Sequence, residues 1–78
     1  MHVKIINAQA ELASAEEVLK AYAEKHGMKK QDKDSHLRAL FRIANKHIGE
    51  AIAMESETAA AIANETAIIL HFYVNRNY

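Results

Sequence analysis

The chain has no cysteine, so it can build neither a disulfide framework nor a thiolate metal site, and a cytoplasmic setting is expected. It has no net charge: ten Lys and Arg balance ten Asp and Glu, unlike the strongly basic balance of a duplex-binding protein. There is no Gly-rich phosphate loop and no HExxH or Cys/His cluster. The opening MHVKIINAQA has one lysine and too short an apolar run for a signal peptide. The longest apolar segment, Ser56 to Val74, falls short of the roughly 20 residues that span a bilayer. It also contains Asn64, Glu65 and His71, so no membrane association is expected.

What is present is apolar residues at helical spacing. Half of the 78 residues are hydrophobic, but many are alanine, which buries little area. A single domain over residues 1–78 with so modest a core lies near the lower limit of independent stability. Association with a second copy is the expected remedy.

Met1 to Ile6 alternates weakly and reads as a short strand or extended arm. From Ala8 the series Ala8, Leu12, Ala15, Leu19, Tyr22 follows steps of four and three, the stripe of an amphipathic helix. Ser14 with Glu17 offers a later start as a capping box, but the stripe is continuous through Ser14. His26-Gly27 ends this helix. A polar linker, Met28 to Asp34, leads to a second helix capped by Asp34 or Ser35. In that helix Leu37, Phe41, Ala44, Ile48 and Ala51 form the stripe, with Leu40 and Ile52 on its shoulders.

Met54-Glu55-Ser56-Glu57 contains no outright helix breaker, so the second and third helices could form one rod. Compactness favours a break, with Ser56 as a new N-terminus. Ile68 to Val74 carries good strand formers, yet no turn cluster separates them from the helix-favouring Ala59 to Ala63. The expected fold is all-α: an antiparallel three-helix bundle over about 8–26, 35–54 and 57–75, assembled as a helical homodimer.

The third helix is apolar nearly all round, so it must be covered on several sides. We assign Ile62, Ile69, Leu70 and Tyr73 to contacts with the chain's own helices. Ile68 and Phe72, with Ala61, are assigned to a partner copy, and His71 in the narrow polar strip joins the dimer-interface candidates.

Charge is segregated. Residues 25–47 hold seven Lys and Arg against two Asp, while both flanks are acidic. Arg38, Arg42 and Lys46 are spaced by four and stack along one side of the second helix, where like charges repel by about 0.2–0.5 kcal/mol per pair. With Lys29, Lys30 and Lys33 they are candidates for binding anions or nucleic acid. A solvated face or pairing with Glu16, Glu17 or Glu24 explains the same pattern. His36 and His47 lie about 16 Å apart on a helix, too far to share a metal. Ser14, Ser35 and Ser56 sit where caps belong, and no catalytic constellation is visible.

The sequence therefore points to a non-catalytic interaction or adaptor module that needs no cofactor or metal and acts by binding another protein, as a homodimer. The alternative is a small nucleic-acid-binding regulator using the basic face.

Overall fold

The computed structural model describes residues 2–78, which form four helices and no strand. Helix α1 spans Val3–His26, with the His2 ring accepting a hydrogen bond from the Lys4 amide at 3.1 Å. The expected extended arm is thus corrected from Val3 onward, and Met1 lies outside the described residues. The reason is periodicity: Ile5 joins Ala8, Leu12, Ala15 and Leu19 in one buried stripe, and a burial spacing of three and four overrides a weak alternation. Ser14 lies within the helix. At the other end Gly27 has φ +83°, and its N–H donates to the Ala23 carbonyl at 2.9 Å, a left-handed end that glycine adopts without penalty.

The linker holds the element missing from the expected three. Lys29–Lys33 forms a short helix, α2, of residues with good helix propensity. It is tied down from outside, because the Gln31 side-chain amide donates to the Leu19 carbonyl at 2.7 Å.

Helix α3, Ser35–Met54, starts at Asp34, whose Oδ1 accepts from the Leu37 amide at 2.9 Å. Leu37, Leu40, Ala44, Ile48 and Ala51 are buried, and Phe41 packs on the core half-buried. Helix α3 then stops. Glu55 takes a left-handed conformation with φ 52°, and Ser56 Oγ caps helix α4, Glu57–Asn77, by accepting from the Ala59 amide at 3.1 Å. The continuous rod is therefore absent, and Ile68 to Val74 is helical.

A non-glycine residue in this region is strained by about 1–2 kcal/mol. Glu55→Gly is expected to raise stability by about 1 kcal/mol, read as a higher urea midpoint. A lower midpoint would mean that the Glu55 side chain contributes more than its backbone costs.

Helix α4 is the centre of the molecule. It packs extensively on both α1 and α3, which touch each other far less. Helices α1 and α4 run the same way, with His2 near Glu57 at one end and Tyr22 against Tyr78 at the other; α3 runs opposite. The buried face of α4 is mostly small: Ala59, Ala60, Ala63 and Ala67, followed by Leu70 and Val74. Alanines let helix axes approach closely, so two neighbours fit around one helix in a molecule measuring 39 × 19 × 17 Å.

Candidate interaction surfaces

The close packing of α4 on its alanine face turns its larger residues outward. Ile62, Ile68, Ile69 and Phe72 are 38%, 48%, 55% and 69% exposed. Ile68 and Phe72 lie where the sequence placed them, away from the chain's own helices, with the half-buried Ala61 on the same side. Ile62 and Ile69 do not. They were assigned to the core with Leu70 and Tyr73, but only Leu70 is buried and Tyr73 partly so. Small residues occupy the inner positions, and at about 100° per residue Ile62 and Ile69 fall on the far side from Ala63 and Ala67. On this outer face Glu65 separates Ile62 from the apolar patch of Ile68, Ile69 and Phe72. No helix among the described residues is long and apolar enough to cross a membrane.

His71 lies elsewhere. Its Nδ1 is 2.5 Å from a Glu11 carboxylate oxygen, both side chains about one-third exposed. It bonds α1 of its own chain and lies to one side of the outer ridge. Sixty residues separate the pair, and no local pattern could have revealed it.

The six cations divide. Arg38 and Arg42 are exposed and form no ion pair among the described residues, while Lys46 reaches Glu50 at 4.0 Å along its own helix. An exposed pair of that kind contributes little. Gly49 lies on the same outer side of α3, and a Cβ there would meet nothing within 4 Å, so packing within the chain does not require glycine. Lys29 and Lys33 are exposed on α2. Lys30 is used structurally: its Nζ donates to the Asn77 carbonyl at 2.7 Å and sits 4.6 Å from the centre of the Tyr78 ring.

That lysine belongs to a polar cluster joining the start of α3 to the end of α4. Asp34 Oδ2 accepts from the Tyr73 hydroxyl at 2.8 Å and the Tyr78 hydroxyl at 2.6 Å, while Oδ1 caps α3. Desolvation pushes the Asp34 carboxyl up, but the Tyr78 hydroxyl, the Leu37 amide, the Tyr73 hydroxyl and the charge of His36 together hold it below its ordinary value. The hydrogen bond to Asp34 raises the Tyr73 phenol, and burial together with Asp34 raises that of Tyr78 further. Read from sequence, Asp34 is only a candidate cap. The separation of 44 residues between Asp34 and Tyr78 hid their joint role.

The histidines are dispersed. His36 packs edge-on against Tyr73, His47 hydrogen-bonds the Ile43 carbonyl, and His26 lies against Tyr22. At the opposite end an open cleft of about 450 Å³ is lined by Ile5, Ala51, Ile52, His2, Glu55 and Glu57. Its Ser56 Oγ is engaged by the α4 cap, and His2 and Glu57 are 3.9 Å apart at an exposed edge. No nucleophile and base are brought together there. No family model, curated protein or solved structure matches this chain.

Proposed function

We propose that this chain is a non-catalytic protein-interaction module that works as a homodimer through the outer face of α4. The observation carrying this is the exposure of Ile68, Ile69 and Phe72 on the very helix whose opposite face forms the core. Large contiguous apolar patches are uncommon on monomeric proteins and mark interaction sites. Covering them returns about 25 cal/mol per Å² of apolar surface, a useful supplement for so small a core. A dimer would also carry two copies of the row Arg38, Arg42 and Lys46, a bivalent surface for an acidic partner protein.

Sedimentation equilibrium tests this directly. The wild type is expected to show a concentration-dependent approach to twice its 8.7 kDa chain mass, and Phe72→Glu is expected to stay at that chain mass with its helical circular dichroism intact. A wild-type monomer at high micromolar concentration, or a dimer unaffected by Phe72→Glu, would overturn the proposal.

The second reading is nucleic-acid binding by the basic face, favoured by Arg38 and Arg42, exposed and without an ion pair among the described residues. It requires salt-dependent binding to duplex or single strand that Arg38→Ala with Arg42→Ala weakens for every sequence. Absence of binding at about 50 mM salt would remove it.

A further inference from the structure

The outer ridge of α4 carries two charges, and their placement specifies how a second copy would sit. At about 100° per residue, Glu65, Phe72 and Arg76 fall within a narrow strip, with Ile68 and Ile69 on its two sides. Glu65 and Arg76 are both exposed, and neither forms an ion pair among the described residues. They stand about 16 Å apart along the axis, one at each end of the apolar patch, with the midpoint between Leu70 and His71.

A two-fold interface must be self-complementary. Opposite charges on the two sides of an apolar patch satisfy that requirement in one orientation. If two copies of α4 cross antiparallel about the midpoint, Glu65 of each chain faces Arg76 of the other, and Ile69 faces Phe72. In the parallel orientation Glu65 would meet Glu65 and Arg76 would meet Arg76, two repulsive contacts at the edge of a desolvated seam. Resting on the dimer reading above, we infer that the second copy docks antiparallel across α4, with reciprocal Glu65–Arg76 pairs closing both ends of an Ile68, Ile69 and Phe72 patch. The overlap runs over residues 64–77. Ala61 and Ile62 lie beyond it, so of the original seam candidates Ile68 and Phe72 remain central and Ala61 becomes peripheral.

Charge exchange tests the register. Glu65→Arg is expected to weaken dimerisation about tenfold, since two attractive contacts become two repulsive ones, and Arg76→Glu should do the same. The double variant Glu65→Arg with Arg76→Glu restores opposite charges and is expected to dimerise within about threefold of wild type. A double variant as weak as either single one would overturn the pairing.

The absence of native cysteine allows a second check. Under oxidation Ile69→Cys should link to its own copy, because position 69 lies next to the two-fold axis. Thr58→Cys should not, because its two copies would be about 37 Å apart along the axis, far beyond disulfide reach. Efficient linkage through Thr58→Cys would establish a parallel seam and overturn the inference while leaving the dimer itself in place. A wild type that never dimerises would instead remove the functional proposal on which it rests.

Discussion

Replacing Leu70 with alanine is expected to lower the unfolding free energy by about 3–4 kcal/mol. Leu70 is fully buried on the helix that packs on both α1 and α3, so neither neighbour can close the gap without leaving the alanine contacts beside it. A chain of this length has a total stability of roughly 4–12 kcal/mol. The loss is therefore a large fraction of the whole, and the melting temperature should fall by about 15–20 °C. Urea titration followed by circular dichroism at low micromolar concentration measures it as a lower midpoint with an unchanged slope. A loss below about 1 kcal/mol would mean that the site collapses around the smaller side chain and that α4 is less central than its burial implies.

The second large effect is expected at Asp34. Asp34→Ala removes the α3 cap, worth about 1 kcal/mol, and leaves the Tyr73 and Tyr78 hydroxyls without their acceptor. The total loss should be about 2–3 kcal/mol, discounted because the cluster is partly exposed. The same cluster shapes the pH dependence. Asp34 has a folded-state pKa below its ordinary value of 3.8, so its contribution is present above that value and lost as pH falls through the folded pKa. The two tyrosines have folded-state values above 10.0, so theirs is fully present below that value and lost as pH rises through the folded ones.

Stability limited by this cluster is thus a plateau with an acid limb and an alkaline limb. Asp34→Asn keeps a good cap but removes the charge. It is expected to lower the plateau and flatten both limbs when the urea midpoint is followed from acid to alkaline pH. Unchanged limbs in the variant would show that other groups govern them.

Much of the fold was legible because three of its devices are local. The stripe of α3 from Leu37 to Ala51, the Gly27 terminator and the Ser56 cap each act within a few residues, and each is where the pattern placed it. The orientation of α4 was legible only in part: Leu70 turns inward and Ile68 and Phe72 outward as assigned, but Ile62 and Ile69 do not turn inward. A helix apolar nearly all round has no periodic signal to say which face turns inward, and large residues are the natural choice for a core. The decisive factor is axis separation: Ala59, Ala60, Ala63 and Ala67 admit two helices closely, which sends Ile62 and Ile69 outward. Short-range rules were equally blind to α2, which depends on Gln31 reaching Leu19. The contacts between Asp34 and Tyr78 and between Glu11 and His71 join residues far apart in the chain. The basic row on α3 was fully visible, but the engagement of Lys30 by Asn77 and Tyr78, almost fifty positions away, was not.

On the proposal above, one face of α4 holds the fold and the other would meet a second copy. A dilution series followed by amide chemical shifts of uniformly labelled protein tests that division most directly. Shifts are expected to change with concentration along one outer line, through Glu65, Ile68, Ile69, Phe72 and Arg76, with the inner line from Ala63 to Val74 and the α3 row Arg38, Arg42 and Lys46 unmoved or nearly so. Shifts that do not depend on concentration, or that change along α3 while the outer line of α4 stays still, would contradict that division.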